Sequence, residues 1–179
     1  MSVVKNRSFK QLLWVGIAAI AMFFAGLTSA YIVRKAEANW TEFVLPDWFW
    51  YSTITIVLSS VVLILAKQKI KKDKAVFNLV LSVFVLGLLF SFFQLNGWEE
   101  LVSQGVYLTG EGSNVSGSFL YVLTLSHLIH LIGGLIALLV TAINAKREQY
   151  SAENYLGLEI TSIYWHFLSI LWIYLFCFL

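Results

Sequence analysis

The sequence predicts an all-α fold, an integral-membrane bundle of five transmembrane helices, and three observations carry that prediction. Hydrophobic residues make up 59% of the 179 residues and charged residues 12%, against roughly 25% charged in a soluble domain. Five apolar stretches each reach the about 20 residues needed to cross a ~30 Å hydrocarbon layer at 1.5 Å per residue. Runs such as LLFSFF, IALLV and IYLFCFL are continuous, whereas a transmembrane strand alternates over about 10 residues. The same composition excludes a water-soluble globule. With one cysteine (Cys177) and one proline, it also excludes a disulfide framework, a CxxC metal ribbon and a disordered linker. A net charge of +2 without a basic stripe excludes nucleic acid as a partner.

The first span, about residues 11–33, follows Lys5, Arg7 and Lys10. Its apolar length exceeds the 7–15 residues of a signal-peptide core, so it reads as a retained helix. The connection AEANWTEFVLPDWFWYS is acidic and aromatic, with Trp40, Trp48 and Trp50 suited to an interfacial belt. Pro46 closes it, and Asp47 is placed to cap the second span, about 48–66. Lys67, Lys69, Lys71, Lys72 and Lys74 then precede the third span, about 75–95. This cluster reads as a topology anchor, drawn to anionic lipid heads by roughly 1 kcal/mol per charge.

The next connection, NGWEELVSQGVYLTGEGSNVSGS, has five glycines and no basic residue, and is expected to be flexible unless a partner orders it. Within it Asn114-Val115-Ser116 matches a glycosylation sequon, a pattern short enough to arise by chance. The fourth span runs over about 118–143 and the fifth over about 160–179. Alternate sides hold ten and two Lys plus Arg, which places the amino terminus in the cytoplasm and the carboxyl terminus outside. Without internal repeats or a linker, residues 1–179 read as one membrane domain. Gly16, Gly26, Ala30, Ser59, Ser60, Gly87 and the Gly133-Gly134 pair are expected to let helices approach closely.

Ionisable side chains inside a span cost several kcal/mol and are the first place to look for chemistry. His127 and His130, three residues apart in the fourth span, share a helix face, as do Glu159 and His166, seven apart in the fifth. Turned inward, these four form a structural polar cluster, bonding to one another and to Ser126, Thr124 or Tyr164. Three functional readings stand beside it. Bis-histidine haem would pair His166 with His127 or His130, yet His130 lies about 18 Å and His166 about 9 Å from the same membrane face. A metal site would use the histidines and Glu159, but no HExxH or histidine box appears. A proton relay suits His and Glu, but no row of acids spans the bilayer. The residues favour structural joining of the last two spans, with no catalytic, cofactor-binding or metal-ligating residue in this chain.

Several strings, taken in order, resemble subunit III of the haem-copper cytochrome c oxidases. They are MFFAGLTSAYIVR, LPDWFWYSTITIVLSS, FQLNGWEEL, GSFLYVLTLSHLIHLIGGL and GLEITSIYWHFLSILWIYLF. The His127-x-x-His130 pair and the run from Glu159 through Trp165-His166-Phe167 to Trp172 are the most specific parts. The resemblance implies the short, five-helix form of a cofactor-free accessory subunit in a bacterial cytoplasmic (inner) membrane. It implies haems and copper in partner subunits I and II, and bound phospholipid in a cleft between helix groups. It also implies packing on subunit I that sustains proton uptake while electrons pass from cytochrome c to oxygen, and it leaves membership of a larger respiratory supercomplex open. His127, His130, Glu159, Trp165 and His166 then carry a structural, lipid-adjacent role, with Trp165, Lys146 and Arg147 at lipid head groups.

The chain departs from the family pattern in three places, one of them Asn144, which stands where members often carry a basic residue at the cytoplasmic end of the fourth span. Ile20 stands where many members carry a buried carboxylate, and Leu168-Ser169 where they carry Val and Asp, so both changes remove buried charge. Two alternatives remain open: subunit III of a quinol oxidase, and a free-standing b-type cytochrome using His166.

Overall fold

A computed structural model describes residues 2–37, 40–72 and 75–179. Lys74 of the basic cluster, the Ala38-Asn39 step of the first acidic loop and the side chain of Lys5 lie outside the described residues. Five helices follow in order: α1 (Ser2–Lys35), α2 (Trp48–Ile70), α3 (Phe77–Ser103), α4 (Val115–Lys146) and α5 (Leu156–Phe178). All five are long and apolar enough to cross a membrane, and the described residues contain no strand. α2, α3, α4 and α5 close a four-membered ring, each touching the next and α5 returning to α2. α1 lies outside the ring against α4 and α5. Lys10 of α1 meets Glu159 at the start of α5, and Thr28 meets Tyr174 near its end, so α1 and α5 run parallel. Lys10, the α2 lysines, Lys146 and Arg147 gather at one end, called the basic end below.

The helices overrun their predicted limits where tertiary contacts reward it. α3 continues past Leu95 to Ser103, because Gly97 lies against the Phe49 ring, Trp98 bonds across to α4 and Leu101 is fully buried. The glycine-rich connection therefore shrinks to residues 104–114, where Gly105, Gly110 and Gly112 take positive φ. Asn114 of the sequon-like triplet is the N-cap of α4, its Oδ1 accepting from Gly117 N at 2.7 Å. Asp47 takes the N-cap position of α2 but makes no side-chain cap bond, since its backbone is already helical at φ −61° and ψ −21°.

Two apolar clusters fill the interior. The larger lies inside the ring and includes Phe49, Phe90, Leu131, Trp165 and Trp172. The smaller joins α1 to α4 and α5 through Phe24, Tyr31, Leu123, Leu171 and Leu175, with Ile20 packed on it.

Candidate functional site

α2 carries two hydroxyl pairs, Ser52-Thr53 and Ser59-Ser60, seven residues apart and hence two turns along one face. In an apolar helix a Ser or Thr proton is satisfied by its own backbone one turn back. Ser52 and Thr53 both donate to Phe49 O, at 2.8 and 2.7 Å, and Ser59 donates to Ile56 O at 2.6 Å. Ser60 instead donates to Ser169 Oγ at 2.8 Å, and Ser169 passes its own proton to Trp165 O at 2.9 Å. With every proton assigned, the four hydroxyl oxygens face neighbouring helices as acceptors.

Each receives one donor. Gln94 Nε2 of α3 donates to Ser52 at 2.8 Å. From α5, Trp172 Nε1 donates to Thr53 at 2.9 Å, Trp165 Nε1 to Ser59 at 2.9 Å, and His166 Nδ1 to Ser60 at 3.2 Å. Trp165 and Trp172 are seven residues apart and their acceptors Ser59 and Thr53 six, so the indoles match the hydroxyl spacing of an antiparallel neighbour to within one residue. The device recurs between α3 and α4, where Trp98 Nε1 donates to Thr124 Oγ1 at 3.1 Å and Thr124 donates to Leu120 O at 2.9 Å. Such bonds average about 0.6 kcal/mol within membranes and reach about 1.7. They are modest individually but tied to one register.

Glycines make room for the rings. A Cβ at Gly87 would stand 2.7 Å from the Trp165 ring and from Leu135, and one at Gly134 would stand 3.2 Å from Trp165 and 3.0 Å from Leu168. Trp165 thus sits in a slot opened by α3 and α4. Gly16 and Gly26 are different: a Cβ at either meets nothing within 4 Å, so these two do not serve close packing within this chain.

The four residues expected to cluster are dispersed. His127 is fully buried and its Nε2 donates to Leu168 O at 3.0 Å, with the Phe90 and Trp172 rings at 5.7 and 5.1 Å. His130 turns toward α1, its Nδ1 donating to Ser126 O at 2.7 Å and its ring edge-on to Phe24 at 5.6 Å, while Tyr164 Oη donates to His130 O at 3.1 Å. His166 faces α2, and Glu159 pairs with Lys10 Nζ at 2.7 Å. Three residues apart on a helix gives a shared side but not a shared neighbour, because α1, α3 and α5 divide the surface of α4 among them.

Trp165 requires a second correction: expected at lipid head groups, it is 0% exposed, since it points into the ring rather than out of it. Lys146 and Arg147 are exposed at the basic end, with Lys146 Nζ 6.0 Å from the centre of the Phe77 ring. Among the described residues no three His, Cys, Asp or Glu side chains converge as a metal centre would require. Sequence reading took Ser59 and Ser60 for packing residues; the available signal was the repeat of adjacent hydroxyls at seven-residue spacing.

Fold and site together define a class, a polytopic all-helical membrane protein whose interior polar side chains join helix to helix. Comparison with known proteins gives the family. The family model described as cytochrome c oxidase subunit III matches residues 44–179. The chain is 32% identical over 175 residues to a probable cytochrome c oxidase subunit 3 of Nocardia farcinica, covering 90% of this chain and 82% of that one. It is 30% identical over 172 residues to the Mycobacterium tuberculosis protein described the same way, with the same coverage. Cytochrome c oxidase subunit 3 of Rhipicephalus sanguineus is 32% identical over 102 residues, 57% of this chain and 37% of that one. The chain belongs to the cytochrome c oxidase subunit III family.

Proposed function

We propose that this chain is the accessory third subunit of a haem-copper oxidase in a bacterial cytoplasmic membrane, carrying no redox centre of its own. It buttresses subunit I, with subunit II in the same complex, while electrons pass from cytochrome c to oxygen. The observation that supports this best is the engagement of its interior polar groups: the Trp165, Trp172, Trp98 and His166 donors each end on a hydroxyl of another helix. Such an interior provides a rigid block with large apolar outer faces. The exposed side chains of α1, including Trp14, Val15, Met22 and Phe23, give a surface for a neighbouring subunit or lipid. The relatives' names support cytochrome c as the donor to the complex.

Bound phospholipid fits the groove between α2 and α5, about 570 Å³ in volume. Val57, Val61, Ile64 and Ile173 form its apolar walls, and Lys67 and Lys71 stand at its basic end, where a lipid phosphate would sit. Lys146 and Arg147 offer a second cationic contact at the same end. A stable subunit-I neighbour and retained lipid would keep the proton-entry surface in shape through many turnovers.

Purification in mild detergent through a tag on this chain tests the proposal. Haem- and copper-bearing partners should co-purify, and all the Soret absorbance should stay with them when this chain is dissociated. A Soret band that follows this chain and disappears in His166→Ala would refute it. His166→Leu, which removes the bond to Ser60, should lower the yield of intact complex and spare its haem spectrum, whereas lost turnover with full assembly and lipid content would argue for direct chemistry.

A further inference from the structure

Two fully enclosed acceptors at the centre of the ring have no hydrogen-bond partner among the described residues, Gln94 Oε1 on α3 and His127 Nδ1 on α4. Their chemical identities follow from their neighbours. Ser52 has given its proton to Phe49 O, so toward Gln94 it can only accept; the amide therefore turns its NH₂ to Ser52 and leaves its carbonyl oxygen pointing elsewhere. Leu168 O can only accept, so the proton of neutral His127 is on Nε2 and Nδ1 presents a lone pair. The orphans are thus two acceptors, and two acceptors cannot satisfy each other.

They also lie at one depth. The antiparallel register of α3 and α4 is set by Trp98 against Thr124 at one end and Gly87 against Leu135 at the other. Counting inward from either contact, Gln94 falls opposite His127 to within one residue. Phe90, one turn before Gln94, packs its ring on His127 at 5.7 Å. Phe49, one turn before the Ser52 that holds Gln94, stacks on Trp172, which in turn touches His127 at 5.1 Å.

We propose that an ordered water molecule is bound between Gln94 Oε1 and His127 Nδ1 and donates one hydrogen bond to each. Water has the two protons required, and buried waters are typically found on otherwise unsatisfied polar groups, with two to four bonds each. The water closes a belt that visits every helix of the ring: Phe49 O and Ser52 on α2, Gln94 on α3, His127 on α4 and Leu168 O on α5. Leaving both acceptors dry in a low-dielectric interior would cost their full desolvation. The belt acts as a register lock, since sliding α3 or α4 by a turn separates the two acceptors, and sliding α2 or α5 breaks the bond to Ser52 or to Leu168 O.

A map of the membrane-purified, assembled protein, at a resolution showing ordered water, should contain a peak within about 2.7–3.2 Å of both atoms. No peak there, with other buried waters visible, or the two side chains in direct contact, overturns the proposal. Solid-state NMR of the same material with ¹⁵N-labelled histidine gives a second reading that needs no variant. His127 should show a protonated Nε2, an unprotonated hydrogen-bonded Nδ1 and a cross-peak from Nδ1 to a slowly exchanging water. A His127 protonated on both nitrogens sinks the idea. In Gln94→Leu the water cross-peak should be lost and the Nδ1 resonance should move toward that of a free acceptor, with Nε2 unchanged. An unmoved Nδ1 in an assembled Gln94→Leu protein overturns it as well.

Discussion

α1 and α5 run side by side in the same direction, yet they are held in opposite ways. Of α1's most apolar window 17% is buried, against 44% for α5. Among the described residues, α1 is fastened by the Lys10–Glu159 pair, by Tyr174 Oη donating to Thr28 Oγ1 at 2.9 Å, and by an aromatic patch in which Tyr31 meets Trp40, Phe119 and Phe178. α5 is locked to α2 by two indole bonds and a histidine bond, and its Trp165 fills a slot between glycines. Lipid tails are as apolar as Leu, so apolar contact alone hardly separates a helix from its solvent. Hydrogen bonds and close steric fit decide which helix neighbours which.

The largest break in this contrast is expected from Trp165→Ala, which empties the slot and strands the Ser59 acceptor. A loss of about 3–5 kcal/mol, read as a fall in the unfolding midpoint in detergent, should make it the most damaging single change. Gly87→Ala comes next: its methyl group would overlap the Trp165 ring and should cost about 1–3 kcal/mol. The same substitution at Gly16 or Gly26 meets open space and should be neutral or stabilising by up to about 1 kcal/mol through helix propensity. Equal effects at Gly87 and Gly26 would erase the distinction between ring and α1. Trp172→Phe keeps most of the ring volume but removes the bond to Thr53, and should cost about 0.6 kcal/mol and at most about 1.7. Lys10→Ala should have the smallest effect, under about 1 kcal/mol because the pair is partly exposed. It should appear as faster proteolysis at the start of α1, with the unfolding of the ring unchanged.

Much of the architecture was legible because bilayer thickness and backbone hydrogen bonding leave few options. The five spans were readable for that reason, and their ends less so. Asn96 through Ser103 read as a polar loop, but Gly97, Trp98 and Leu101 use the inner face of that segment to extend α3. The candidate site was legible as a set of residue types and illegible as a set of partners. His127 and His130 were placed on one helix side, and the fold gave one to α5 and the other to α1. Trp165 was placed at lipid head groups by the family resemblance, and its direction depended on where Gly87 and Gly134 leave space.

By itself the sequence determined the five helices, their apolar lengths and, through its motifs, the family. Those are properties of single segments, governed by hydropathy and by the need of every backbone amide to bond within its own helix. Only the tertiary structure decided which side chains face one another: which hydroxyl takes which indole, which glycine is a slot and which is bare surface, and where two acceptors meet at the centre. The physical reason is that these outcomes depend on distances between helices, and inside a uniformly apolar span each face looks alike until its neighbour is in place.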